Sequence, residues 1–177
     1  MKRFFYGIIF TVLVLAAGGF FYLKNGYMDF QADQKPPALE RKLAMGAMDA
    51  STERHAPDKK NPIEATDQNL IEGARLYLNH CAGCHGIPSN RDSQFGKSFY
   101  PPVPQFFSDA PDMPENQNFY ITQHGVRYTG MPAWSGTLSE TQMWMIVTFM
   151  SHIEKLPPVA LKELEPPAPA PGAPVAH

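Results

Sequence analysis

Cys81-Ala82-Gly83-Cys84-His85 decides how this chain is read. Two thiols three residues apart, with a histidine directly after the second, form the spacing by which c-type haem is covalently attached. The chemistry explains the spacing. On one helical turn, Cys81 and Cys84 can each form a thioether with one of the two haem vinyl groups, which leaves His85 under the iron as the proximal ligand. Gly83 and Gly86 keep bulk away from a backbone that must lie close to the porphyrin edge. A bare pair of this spacing also serves as a redox dithiol, a structural disulfide or half of a zinc site. A thioredoxin-like dithiol follows a strand in a βαβ pattern, and no such pattern is present. Zinc needs more thiols or a paired histidine set, whereas the chain has 2 cysteines. A plain disulfide stays as the main alternative.

Outward from this motif, 177 residues give room for one modest domain with accessories, and a net charge of -2 gives no sign of nucleic-acid binding. The 18 prolines cluster at the flanks of the polar region and in its middle, where they mark linkers and constrained loops. Phe4 to Leu23 is a run without charge, preceded by Lys2-Arg3. At ~1.5 Å per residue it is long enough to cross a hydrocarbon core. A cleaved signal has a shorter apolar region ending in small residues. Here Ala16-Ala17-Gly18-Gly19 is followed by Phe20-Phe21-Tyr22-Leu23, so an uncleaved anchor over residues 1–28 is expected. Lys2 and Arg3 should remain cytoplasmic, with Tyr22 and Tyr27 at the far interface, although Lys24 slightly weakens the charge asymmetry. The rest of the chain is then on the outer face of a bacterial cytoplasmic membrane, the side on which haem is covalently attached.

Residues 29–62 are polar and mixed in charge. Pro37 can open a short helix carrying Leu39, Leu43, Ala47 and Ala50 on one stripe, with Pro57 beyond its end. This reads as a spacer, or alternatively as a docking helix for a membrane partner; Met45, Met48 and His55 make a poor metal set. The folded domain is expected over 63–157. Thr66 or Asp67 caps a helix whose stripe of Leu70, Ala74, Tyr77 and Leu78 runs into Cys81, and Gly73 inside it needs a reason such as a close helix crossing. From Gly86 to Pro114 no period is visible, and the prolines predict a long constrained loop whose Phe95, Phe99, Tyr100, Val103, Phe106 and Phe107 cover either a porphyrin or a protein core.

Glu115 to His124 predicts a short helix ended by Gly125. In the next loop, Gly130-Met131-Pro132 fixes a methionine between two conformationally defined residues, whereas Met143, Met145 and Met150 fall in a helical packing pattern. Met131 is therefore the expected distal ligand, ahead of His124, Met113 or none. His/Met ligation fills both axial positions and raises the reduction potential, which suits electron transfer. His80 is expected to point to solvent and His152 to lie on the surface. Ser139 and Gln142 form a capping-box pair before a broad apolar helix of Met143, Trp144, Ile146, Val147, Phe149, Met150 and Ile153, which Pro157-Pro158 stops. Residues 158–177 read as a Pro/Ala-rich tail.

The haem motif after one helix, Gly130-Met131-Pro132 in a loop and an aromatic-rich last helix together resemble the class I c-type cytochromes, in particular the small membrane-anchored bacterial members with one haem. The resemblance implies an all-α, cytochrome c-like domain with an N-terminal transmembrane helix, holding one covalently attached haem c with His85 and Met131 on its iron. It also implies that Gly73 packs against Phe149, as a glycine and an aromatic do in that family, and that a proline carbonyl, here assigned to Pro102, accepts the proton on the other nitrogen of His85. Tyr100, Arg127 and Trp134 would meet the haem propionates. The implied function is single-electron transfer between a redox donor and an acceptor rather than transformation of a substrate. A fixed subunit of a respiratory or dehydrogenase complex, and a haem enzyme or gas sensor with a labile distal site, are the alternatives. Between Glu64 and Lys155 nine acidic side chains stand against five basic ones, a net -4, so an electrostatic partner would be neutral or basic.

Overall fold

The computed structural model describes residues 2–165, and the chain divides after Gln34 into two units. The first contains α1, Lys2–Lys24, a helix long and apolar enough to cross a membrane. Its end is chemically defined. Gly26 adopts φ 73°, a left-handed value that costs glycine nothing, so the Gly26 amide donates to Leu23 O at 3.2 Å and the Tyr27 amide to Tyr22 O at 3.2 Å. The Tyr27 ring then stacks back on Tyr22, centroids 5.7 Å apart.

The second unit is helical: α2, Ala38–His55; α3, Asp67–His80; α4, Ala82–His85; α5, Gln94–Lys97; α6, Glu115–His124; α7, Glu140–Ser151; a 3-10 turn, Ile153–Lys155; and α8, Pro158–Lys162. Caps fix the starts of the two core helices. The Thr66 hydroxyl accepts from the Asn69 amide at 3.3 Å, and Ser139 with Gln142 makes the reciprocal capping box of α7. Gly125, at φ 66°, ends α6.

The core is the crossing of α3 and α7, which α6 joins from the side. Gly73 makes the crossing possible. A Cβ at this position would meet Met145 O at 2.5 Å and Phe149 Cβ at 2.8 Å, so the two backbones approach to a distance that no side chain permits. This is the contact that the family resemblance implies for Gly73 and Phe149. Around it Tyr77, Trp144, Val147 and Phe149 are fully buried, and Trp144 stacks on Phe119 at 4.0 Å with planes 9° apart. Such a pair contributes about 0.5–1.5 kcal/mol beyond its buried area. Tyr77 also works through its polar end. Its buried hydroxyl donates to Gly86 O at 2.8 Å, and burial pushes its pKa well above the usual phenol value, keeping the donor protonated.

Two expected boundaries shift. Residues 35–62 do not form a free spacer. The apolar stripe of α2 faces outward, with Leu39 and Leu43 exposed, and the helix packs instead through Thr52, 4% exposed, against α6. Polar groups fasten the segment: Tyr100 donates to the Glu40 carboxylate at 2.7 Å, Asn116 Nδ2 to Pro57 O at 3.0 Å, and Asn61 Nδ2 to Thr148 Oγ1 at 2.8 Å. The folded unit also continues past Pro157. Ala160 and Leu164 are buried, α8 packs on α3, and Glu163 accepts from Arg75 Nε at 2.9 Å. The tail expected over 158–177 therefore begins no earlier than residue 166, and 166–177 lie outside the described residues.

Two substitutions test this packing. Gly73→Ala should gain about 1 kcal/mol of helix propensity but lose more to overpacking, for a net destabilisation of about 1–3 kcal/mol read from the urea midpoint. Tyr77→Phe keeps the ring and leaves the Gly86 carbonyl without its donor, and should cost about 1–3 kcal/mol in the same assay.

Candidate functional site

The site is built on the one-turn helix α4. Cys81 ends α3, with its amide donating to Tyr77 O at 2.8 Å, and its own carbonyl accepts from the Cys84 and His85 amides at 3.1 and 2.9 Å. This turn carries Cys81, Cys84 and His85 together. The cysteines stand unpaired, Cys81 buried and Cys84 half-buried. Burial pushes the Cys81 thiol up to about 12, with the neighbouring Cys84 adding to the shift. A redox dithiol works with a thiol shifted in the opposite direction, to a depressed pKa. Among the described residues no group of three or more His, Cys, Asp and Glu side chains is placed to hold a metal.

His85 is buried, and its ring is fixed from two directions. Nδ1 lies 2.9 Å from Pro104 O, and the ring stacks on Phe106 with centroids 4.2 Å apart and planes 8° apart. A carbonyl only accepts, so Nδ1 carries the proton and Nε2 is left with its lone pair. Desolvation lowers the pKa of His85, opposed by the Pro104 hydrogen bond, so the ring is held neutral. A neutral imidazole with one nitrogen anchored by a carbonyl and the other free is the form in which histidine ligates iron. The donor set fits haem c: two thiols and one such imidazole on a single turn. The carbonyl that does the anchoring belongs to Pro104. Pro102 is the residue expected for this role, and the difference of two residues follows from the path of the loop: the Phe106 amide donates to His85 O at 3.2 Å and brings residue 104 level with the ring.

Met131 sits in a separate, tightly tied loop. The Thr129 hydroxyl donates to Val126 O at 2.8 Å and accepts from the Met131 amide at 3.1 Å, while Met131 O accepts from the Val126 amide at 3.1 Å. Gly125 and Gly130 allow the closure: a Cβ on the first would strike Met131 O at 2.6 Å, and one on the second would strike the Phe99 ring at 2.5 Å. The Phe99 segment thus borders the methionine loop, and the residues of 95–107 that the sequence offered as cover are half-buried at Phe99, Phe106 and Phe107 but exposed at Phe95.

The outer candidates are dispersed. Trp134 is half-buried, with its ring edge-on to His80 at 5.2 Å, so His80 packs against an aromatic rather than pointing freely to solvent. Arg127 is exposed in the turn before Met131, and the hydroxyl of Tyr100 is committed to Glu40. His152 is half-buried, with Nδ1 2.9 Å from Thr148 O at the end of α7. His124 is exposed and stacks on Tyr120, away from the loop ties of Met131. A cavity of about 390 Å³ lined by Arg91, Phe106, Phe107, Ile153 and Leu161 touches neither the cysteines nor Met131 and is not this site.

Sequence reasoning missed Pro104, Ser93 and Gln105. Gln105 had a signal: it is the lone polar side chain in Pro101-Pro102-Val103-Pro104-Gln105-Phe106-Phe107, and it is buried. Residues 68–150, which contain the attachment turn and the methionine loop, match the family model described as cytochrome C oxidase, cbb3-type, subunit III. With the helical fold, the Gly73 crossing and the anchored His85 already in place, this stretch is a c-type cytochrome domain, a haem-bearing module of electron transport in a chain that also has an N-terminal helix of membrane-spanning length.

Proposed function

We propose that the protein is a membrane-tethered cytochrome with one covalently attached haem c, passing single electrons between a redox donor and an acceptor at the outer face of a bacterial cytoplasmic membrane. The observation that carries this reading is the Cys81–His85 turn with Nδ1 of His85 held by Pro104 O, 2.9 Å away. In this reading the Cys81 and Cys84 thiols would hold the haem through thioethers to its two vinyl groups. His85 Nε2 and Met131 Sδ would hold its iron. The haem supplies a one-electron ferric/ferrous couple. The chain's own contribution is to hold both ligands through the change: Pro104 and Phe106 immobilise the imidazole, and Thr129 ties down the methionine loop. With the ligands fixed, little reorganisation accompanies electron transfer. Arg127 and Trp134 are the groups proposed to meet the propionates; Tyr100 could join them only by leaving Glu40.

A second reading is favoured by two observations. The matching family is described as a subunit of an oxidase, and α2 turns Leu39 and Leu43 outward on a stripe that includes Gly46 and Ala50. In this reading the domain is a fixed subunit of a respiratory complex rather than a free shuttle. Mild detergent solubilisation followed by gel filtration separates the two: the subunit runs with its complex, the shuttle runs alone.

The ligand assignment is tested by optical spectra of the purified protein, oxidised and reduced, for wild type and Met131→Ala. The wild type should be low-spin, with the weak red-edge band of sulfur-to-ferric-iron ligation. Met131→Ala should lose that band and acquire a lower reduction potential. A band that survives in the variant would move the distal ligand to another sulfur, whereas a high-spin wild type would favour an enzyme or sensor with an open site.

A further inference from the structure

The helix that carries the attachment motif is too short to satisfy its own carbonyls. The last four C=O groups of any helix lack intrahelical donors, and α4 has only four residues. Its path then leaves helical geometry at Gly86, φ 83°. Each carbonyl of the turn nevertheless has a donor. Cys81 O and Ala82 O are served from within, by the amides of His85 and Gly86 at 2.9 Å each. Gly83 O accepts from the Ser93 hydroxyl at 2.7 Å, Cys84 O from Gln105 Nε2 at 2.9 Å, His85 O from the Phe106 amide at 3.2 Å, and Gly86 O from the Tyr77 hydroxyl at 2.8 Å. Four successive carbonyls are each held from outside, and three of the donors lie between residues 93 and 106.

Gln105 is the centre of this arrangement. It uses both amide protons, on Cys84 O and on Val103 O at 2.9 Å, and its Oε1 accepts from the Ser93 amide at 2.7 Å. Ser93 in turn holds Gly83 O and accepts from the Gly96 amide at 3.1 Å. Gly96 is pressed so closely on this pair that a Cβ there would overlap Cys84 O and come within 2.8 Å of Gln105 Nε2. On either side of Gln105, Pro104 O holds His85 Nδ1 and Phe106 stacks on the ring. We infer that Gln105 is the positioning residue of the proximal ligand. Its side chain ties the backbone of the attachment turn to the loop segment that orients His85, so the distance from His85 Nδ1 to Pro104 O is set by the length of one glutamine. The inference rests on the assignment of His85 as the haem ligand.

A firm Nδ1–H···O bond raises the basicity of the imidazole and favours the ferric state. A slack one should raise the reduction potential and expose the Nδ1 proton to exchange. The test uses the full-length holoprotein as wild type, Gln105→Leu, Gln105→Asn and Ser108→Ala. The last removes a bond from the same loop, Ser108 Oγ to Arg91 O at 3.2 Å, that touches none of the four carbonyls. Two quantities are read: the potential, and the hydrogen-exchange rate of the His85 ring N–H by NMR in the ferrous protein. Gln105→Leu should exchange at least tenfold faster and have a higher potential. Gln105→Asn, which keeps the amide one methylene short, should fall between it and wild type, and Ser108→Ala should match wild type in both. If Gln105→Leu does not mature, Gln105→Asn carries the comparison alone. Exchange within twofold of wild type together with an unchanged potential in Gln105→Leu, or in Gln105→Asn where that variant stands alone, would overturn the positioning role, even if the melting temperature falls. A wild-type protein without a Soret band would instead remove the haem assignment itself.

Discussion

Because α4 is a single turn, the carbonyl oxygens of residues 83 to 86 must find donors elsewhere, and much of the domain is arranged around supplying them. Tyr77 reaches down from α3, while Ser93, Gln105 and the Phe106 amide close in from the loop. Each bond has a modest net worth, yet leaving the carbonyl of buried His85 or Gly86 unpaired would cost its full desolvation. This asymmetry makes the loop rigid without giving it regular structure. Among the described residues, no buried side-chain nitrogen or oxygen lacks a partner, which is the condition under which a proline-rich loop can serve as part of a core.

The rigidity has a second support in the crossing of α3 and α7. Gly73 lets the helices meet backbone to backbone, and Tyr77, one turn further along α3, is then held between Phe149 at 5.0 Å and Phe107 at 6.0 Å between ring centroids. The same tyrosine that packs the crossing carries the hydroxyl for Gly86 O. Packing and polar satisfaction are thus joined in one side chain, and a disturbance of the helix crossing is transmitted to the turn that carries His85.

Local chemistry was legible in the sequence wherever one or two residues decide the outcome. The Cys81–His85 turn, the Thr66 cap, the Ser139–Gln142 box, the Gly125 stop and the close approach at Gly73 all depend on contacts within a few residues or on a side chain that only one geometry tolerates. What could not be read depends on the path of the chain through space. Several prolines offered a carbonyl to His85, and nothing local distinguishes Pro104 from Pro102. The stripe of Leu39 and Leu43 was visible in the sequence, but the ties that fasten α2 were not, because they run through Glu40, Thr52 and its C-terminal extension rather than through apolar area. The proline pair at 157–158 is expected to stop the last helix, but α7 already ends at Ser151 and the pair instead starts another helix, since proline suits a first helical turn as well as a stop. Gln105 was visible as an oddity, though its three hydrogen-bond partners were not.

The fastening of α2 bears on where this chain can be divided. A cut at residue 63, shortly before α3, would strip Pro57 from Asn116, Asn61 from Thr148 and Glu40 from Tyr100, and would uncover the face of α6 that Thr52 covers. The natural seam lies well before that, just after Gln34, where the two units part. A cut at that seam would keep every one of these ties, so the second unit would part from the apolar helix without losing a hydrogen bond that fastens α2.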